Sequence, residues 1–257
     1  MTHVPGSPPS SPELYDATAS RWVRREPTSL SDFTGRPRTL ELCQPVAGKR
    51  VLDLGCGEGY CARLLVGMGA AEVIGIDSSS QMIAAARSEE AREPLGIRYD
   101  VGDAARLEHV ADASFDLVLA MFLFNYLEIE GTRRCMAEVA RALRPGGRFV
   151  FAVPHPSLPF VREEEPPFYF SVDRGGYFSN RDRRFPGKIW KRDGTELEVQ
   201  LVHKTFEDYF AALAAAGFRA LPTVLELGVT PEIEAIDPAF FRPLADVSLH
   251  AAFAIER

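Results

Sequence analysis

Metal-ligand spacing is missing from this sequence. It has four cysteines, Cys43, Cys56, Cys61 and Cys135, and no two of them are separated by two residues. No cluster of histidines accompanies them. That pattern disfavours a zinc site and a disulfide framework, and reduced thiols in a cytoplasmic protein are the plain expectation. A run of about 18 apolar residues is also missing, which argues against a membrane span. The first residues, MTHVPGSPPSSP, have neither a basic start nor an apolar stretch and do not read as a secretory signal. Their four prolines, three serines and one glycine cannot bury apolar area, so a disordered tail is expected over residues 1–12. Positive charge is short as well. Lys plus Arg is 29 against 36 for Asp plus Glu, a net charge of −7. Such a chain is a poor candidate for gripping phosphate backbones, so no nucleic-acid partner is expected.

What the sequence does contain is ordinary for a globular protein: 257 residues, 46% hydrophobic and 25% charged. That length suits one large α/β domain. Residues 13–48 read as partly helical, with Leu14, Tyr15, Trp22, Phe33, Leu40 and Leu42 as packing candidates. From Arg50 the pattern becomes regular. VLDL (51–54), EVIGID (72–77), IRYDVGD (97–103), FDLVLAM (115–121) and RFVFAVP (148–154) read as strands. YCARLLVGMG (60–69), SSSQMIAAARSEEA (78–91) and TRRCMAEVARALRPGG (132–147) read as helices between them, the second opening on serine caps. This alternation implies a parallel sheet with helices on both faces.

The alternation breaks after Pro154. Residues 154–203 show no clean helix but carry Phe160, Phe168, Tyr169, Phe170, Tyr177, Phe178, Phe185 and Trp190. KIWKRDGTELEVQLVHK (188–204) reads as a β-hairpin turning at Asp193-Gly194. A helix follows in TFEDYFAALAAAGF, with Thr205 and Asp208 as a capping box and Gly217 as the stop. RALPTVLEL (219–227) and LHAAFAIER (249–257) read as the last two strands.

The chemistry-bearing segment is VLDLGCGEGYCARLL. It joins a strand to a helix through Gly55, Gly57 and Gly59, which let the backbone turn sharply beside a ligand. Alone, such a loop also serves dinucleotide enzymes. Asp53 sharpens it, because a carboxylate two residues before the first glycine would crowd a pyrophosphate. Asp77, ending the second strand, is placed to take two ribose hydroxyls. Together DLGCGEG (53–59), GIDSSSQMI (75–83), GDA (102–104), FDLVLAM (115–121) and LRPGGRFVF (143–151) resemble the class I S-adenosylmethionine-dependent methyltransferases. The resemblance spans roughly residues 50–153. LRPGG is foreign to the nicotinamide-dependent oxidoreductases, the competing reading.

The resemblance implies a Rossmann-like, seven-stranded, mostly parallel sheet and S-adenosyl-L-methionine as cofactor. It also implies roles. Gly55, Gly57 and their neighbours would contact the methionine part, with Asp53 near its ammonium. Asp77, followed by Ser78, would bind the ribose. Met82 would pack on the adenine, Asp103 would accept from its amino group, and Ala104 would offer a backbone donor. Met121 and Phe122 would lie beside the methionine moiety. YDATASRW (15–22) resembles the Tyr-Asp cover helix of many relatives, in which Tyr15 covers the cofactor. Many relatives carry a histidine after the fourth strand, where this chain reads NYLE (125–128), so Tyr126 is a substrate-side candidate in place of a base.

The expected division is a cover at 13–48, a cofactor-binding half at 49–153, an aromatic lid at 154–203 and a C-terminal helix and strands at 204–257. The acceptor in this fold sits over the carboxyl ends of the strands. His155, held between Pro154 and Pro156, is the leading base or orienting group, with His203 second. His3, His109 and His250 read as peripheral or structural. Tyr169, Tyr177 and Trp190 are the lid's pocket candidates, since each joins an apolar body to a polar tip. A local basic stretch lies in the hairpin, where Arg181, Arg183, Arg184, Lys188, Lys191 and Arg192 outnumber Asp182 and Asp193. The expectation is a cytoplasmic methyltransferase, monomer or homodimer, acting on a small aromatic or heteroaromatic metabolite at C, N or O. A methyltransferase of RNA or protein, or a non-catalytic cofactor-binding partner protein, is the alternative.

Overall fold

The computed structural model describes residues 10–257. Most of the expected 1–12 tail lies outside the described residues. Its last two residues begin a helix instead, which Ser10 caps: the Ser10 amide and hydroxyl both donate to Glu13 Oε2, at 2.8 and 2.7 Å.

The strands are β1 (Arg50–Leu54), β2 (Glu72–Asp77), β3 (Arg98–Val101), β4 (Phe115–Met121), β5 (Leu143–Pro154), β6 (Phe168–Phe170), β7 (Arg184–Trp190), β8 (Glu196–Val202), β9 (Thr223–Leu227) and β10 (His250–Glu256). The helices are α1 (Ser11–Trp22), α2 (Leu30–Thr34), α3 (Arg36–Leu42), α4 (Tyr60–Gly67), α5 (Ser80–Arg92), α6 (Ile129–Ala142), α7 (Leu158–Val161), α8 (Phe206–Ala215), α9 (Pro231–Ile236) and α10 (Pro238–Phe241). Seven strands form the main sheet in the order β3-β2-β1-β4-β5-β10-β9. β1 to β5 are parallel, and β10 runs antiparallel to both β5 and β9. This is the expected seven-stranded, mostly parallel architecture. Strand order reverses between β1 and β4, and the crevice at such a switch point is where ligands bind in open α/β sheets.

Each face of the sheet has its own core. One gathers Leu52, Leu54, Val118, Phe124, Phe149, Phe151, Tyr209 and Phe253. The other gathers Val51, Leu65, Val73, Ile83, Tyr99, Leu117 and Val150. Consecutive residues of one strand, such as Val51 and Leu52, fall into different cores, as the two-residue period of a strand requires.

The region 154–203 is not helical apart from the single turn of α7. β6, β7 and β8 form a separate antiparallel sheet in that order. Its buried face, with Phe168, Phe170, Phe185, Val199 and Leu201, builds a third core with Leu30, Leu158, Phe241 and Leu244. The hairpin turns where expected: the Gly194 amide donates to Lys191 O at 2.9 Å, with Gly194 at φ +86°. The Thr205–Asp208 capping box of α8 is also present. No helix among the described residues is long and apolar enough to cross a membrane.

Candidate functional site

A cavity of about 560 Å³ opens at the carboxyl end of β1, β2 and β4. The β1–α4 loop shapes its floor. Gly57, at φ +56°, turns its amide onto Asp77 Oδ2 at 2.9 Å. Gly59, at φ +83°, leaves room for the Tyr99 hydroxyl, which a Cβ would meet at 2.3 Å. A side chain at either position would be strained, and at Gly59 it would also be crowded.

Asp53, Gly55, Gly57, Asp77, Ser78, Met82, Asp103, Met121, Phe122, Tyr126 and Tyr15 all line this one cavity. The structure thus brings together all but one of the expected cofactor residues. Ala104 is buried in the neighbouring core and is not on the cavity wall.

Asp53 is fully buried and neither carboxylate oxygen has a hydrogen-bond partner. Burial, reinforced by the charge of Asp77, pushes its carboxyl up to about 8. An unpartnered buried carboxylate is costly, and a cationic ligand would relieve it. Asp77 differs, since it also accepts from the Ser79 amide, at 2.8 Å. Burial raises its carboxyl and these amide bonds oppose the shift.

α1 closes one side. Its Asp16 accepts from Ser79 Oγ at 2.5 Å and from the Gln81 amide at 3.1 Å, which pins α1 to the start of α5. Tyr15 then reaches in and shares a hydroxyl–hydroxyl hydrogen bond with Tyr126. Their rings meet edge to face with centroids 5.3 Å apart. Burial, with the neighbouring Tyr126, holds Tyr15 well above the usual phenol range.

Several cavity residues were not picked from the sequence as site residues. Arg24, Arg36, Glu58, Tyr60, Cys61, Asn125 and His250 line it, as do Phe168, Phe170, Ile189 and Val199 of the small sheet. Arg36 Nη1 bonds Asp32 Oδ1 at 2.8 Å, and Arg24 Nη1 bonds Glu58 Oε1 at 3.0 Å. Arg36 Nε has no partner. Phe122 has φ +58°, rare for a bulky residue, and such outliers persist where surrounding packing enforces them.

Five expected acceptor-side residues lie off the cavity. Pro154 lines it, and alternation along β5 turns the next residue, His155, to the other face. There His155 Nε2 meets Glu226 Oε1 at 2.9 Å, Nδ1 meets Ser157 Oγ at 2.7 Å, and the ring packs on Phe206. His203 is buried among Phe160 and Tyr177, with Nε2 donating to Tyr177 O at 2.8 Å. Tyr177 belongs to that same cluster. Tyr169 and Trp190 pair with each other, centroids 5.9 Å apart, on the small sheet's opposite face. His109 is exposed, as expected, and His3 lies outside the described residues. His250, read as peripheral or structural, is buried and is also part of the wall.

The sheet order, the glycine loop at its switch point and the unpartnered acidic floor define a nucleoside-type cofactor site of the α/β class. Comparison narrows it. Residues 51–147 match the profile of a methyltransferase domain family. An S-adenosylmethionine-dependent methyltransferase from Mesorhizobium loti superposes with TM-score 0.65 and 27% identity, covering 86% of this chain and 96% of that one. Among curated proteins, one uncharacterized protein from Haemophilus influenzae is 30% identical over 156 residues, 60% of this chain and 59% of its own length. The O-methyltransferase cnsE of Penicillium expansum is 33% identical over 158 residues, 54% of this chain and 56% of its own length. The chain therefore spans less than two thirds of these curated relatives. Residues 51–147 are thus matched to a methyltransferase domain, and the chain shares the fold of an S-adenosylmethionine-dependent methyltransferase, a similarity that points to S-adenosylmethionine as the cofactor.

Proposed function

We propose that this protein transfers a methyl group from S-adenosylmethionine to a small, largely apolar aromatic or heteroaromatic acceptor. One observation carries the reading. A single cavity joins a floor with an unpartnered carboxylate, Asp53, to a wall of Phe168, Phe170, Ile189 and Val199. The first suits the amino-acid end of the cofactor and the second suits a flat apolar guest.

S-adenosylmethionine, when bound, supplies an electrophilic methyl group on a sulfonium. The residues of this chain supply position. Asp53 takes the cofactor's ammonium and so gains the partner it lacks, while the guanidinium of Arg36 offers its unpaired Nε to the carboxylate. Asp77 accepts from the ribose hydroxyls. Met82 packs on the adenine and Asp103 accepts from its edge, with the Ala104 backbone behind it. Gly55, Gly57 and Ser78 keep the backbone close to the cofactor, and Met121 and Phe122 flank its methionine chain. Tyr15 and Tyr126, tied through their hydroxyls, close the cavity and exclude water from the reacting atoms.

The test is turnover of S-adenosylmethionine against phenols, aromatic amino acids and N-heterocycles, read as S-adenosylhomocysteine release. Turnover of an apolar aromatic acceptor is expected. Tight binding of S-adenosylhomocysteine with silence across the panel would reject the small-molecule reading. Salt-sensitive RNA retention or labelling of a protein would then favour a macromolecular acceptor.

A further inference from the structure

His250 is the first residue of β10 and is only 2% exposed. It pairs across the sheet with Pro154, and both line the cavity. The rings beside it there are apolar. The ring lies 5.1 Å from that of Phe122 and 6.3 Å from that of Phe168. One polar contact fixes it: Nε2 lies 2.9 Å from Thr34 Oγ1. Thr34 has one hydroxyl proton, and it donates that proton to Leu30 O at 3.0 Å. The Thr34 oxygen must therefore accept, and Nε2 must carry the imidazole proton. Nδ1 is left as a bare lone pair, and it has no hydrogen-bond partner.

Resting on the methyl-transfer reading above, we infer that His250 Nδ1 orients the acceptor by accepting a hydrogen bond from its N–H or O–H group. The class of acceptor follows: a neutral, flat, mostly apolar molecule with at least one such donor, for example a phenol or an N–H heterocycle. The wall gives the flat face its contact with Phe122 and Phe168, and the lone pair gives one direction to the donor. Burial, with the charge of Arg36, depresses His250 to about 3, so the ring stays neutral and accepting at physiological pH. Asn125 Oδ1 is also unpartnered on this wall. Its amide carries donors as well as an acceptor, so it does not select for a donor as His250 does.

The experiment uses the full chain saturated with S-adenosylhomocysteine and two matched probe pairs, indole with 1-methylindole and phenol with anisole. Calorimetric titration of the unaltered protein is expected to favour the donor-bearing member of each pair by roughly tenfold. His250→Phe should erase that preference. His250→Asn, which returns an oxygen near the Nδ1 position, should restore part of it. Thr34→Val leaves the ring in place, frees its tautomer and should also lower the preference. S-adenosylhomocysteine affinity should be unchanged in all three variants, which shows that they are folded. Survival of the preference in His250→Phe overturns the inference, as does equal binding of both members by the unaltered protein, and in these cases the methyl-transfer reading stands. Binding of neither pair by the loaded protein overturns the inference and the small-aromatic reading together.

Discussion

Asp53 and Asp77 are both buried carboxylates, yet their surroundings give them different tasks. Asp77 already accepts from two backbone amides, at 2.9 and 2.8 Å, so it is held in one orientation and ready to receive hydroxyl donors. Asp77→Ala should weaken S-adenosylhomocysteine binding by about 1.5–3 kcal/mol through lost charged hydrogen bonds, measured by calorimetry. Unchanged affinity would remove it from the ribose site. Asp53 has no such support, and its carboxyl is pushed up to about 8 from an ordinary 3.8, by burial first and then by Asp77. The sign of the linkage follows. A carboxyl raised on folding holds a proton that the unfolded chain would release, so its ionisation costs stability increasingly as pH rises from 3.8 towards 8. A cofactor ammonium needs the ionised form. Binding that ionises Asp53 then releases a proton below about pH 8. The affinity for S-adenosylhomocysteine should rise with pH between about 5 and 7, by up to about tenfold per unit. Titrations in two buffers of different ionisation enthalpy would count the proton directly. Asp53→Asn should lower the affinity and flatten this dependence, and a slope that survives the substitution would assign the proton elsewhere.

At the scale of elements, the small sheet shows how a parity of one decides a pocket. Phe168 pairs with Ile189, and Phe170 with Gly187. Gly187 in turn pairs with Val199, so these residues share a face. That face meets the cavity, and Tyr169, Lys188 and Trp190 lie on the other. Composition pointed to this segment and hydrogen-bonding tips pointed to its tyrosines and Trp190. Which face turns inward depends on contacts with Leu30, Leu158 and Phe241, which are remote in sequence. His155 and His250 follow the same rule, since strand alternation turns one away and the other inward. Motif residues were legible because the glycine loop and the ends of β2 and β4 carry local geometry with them. Wall residues were not, because facing is set by tertiary packing. The absent side chain at Gly187 offers a test of this face. A Cβ there would come within 2.5 Å of both Phe170 Cδ1 and Tyr169 O. Gly187→Ala should therefore cost about 1–3 kcal/mol of stability in urea unfolding and displace Phe170. KM for an aromatic acceptor should rise while cofactor affinity holds, because the cofactor floor belongs to the other sheet. An equal loss of both would mean that the small sheet does not form a separate acceptor wall.

Across the whole molecule, charge and architecture divide the surface from the site. The hairpin's basic residues are largely partnered within the fold: Arg181 Nε with Asp208 Oδ1 at 2.8 Å, Lys188 with Glu196 at 2.7 Å and Arg192 with Asp237 at 3.2 Å. Lys191 is turned inward onto Arg21 O. The local positive stretch is thus answered by acidic residues from the hairpin itself and from distant parts of the chain. Buried charge concentrates instead beside the cavity, where Asp32, Glu58, Arg24 and Arg36 interlock. The cavity is bordered by α1, the main sheet and the small sheet, so a ligand there stabilises the fold as a unit. A ligand that binds only the folded chain adds about 2.7 kcal/mol at a hundred times its Kd. For a chain of this size that corresponds to a Tm rise of about 5–11 °C. S-adenosylhomocysteine should produce such a rise in a single cooperative transition. Asp16→Ala, which releases α1 from Ser79 Oγ and the Gln81 amide, should shrink the rise while lowering the ligand-free Tm only modestly, because Asp16 itself is exposed. A full ligand-induced shift in that variant would show that α1 closes the cavity without contributing to binding, and would confine the cofactor's hold to the main sheet.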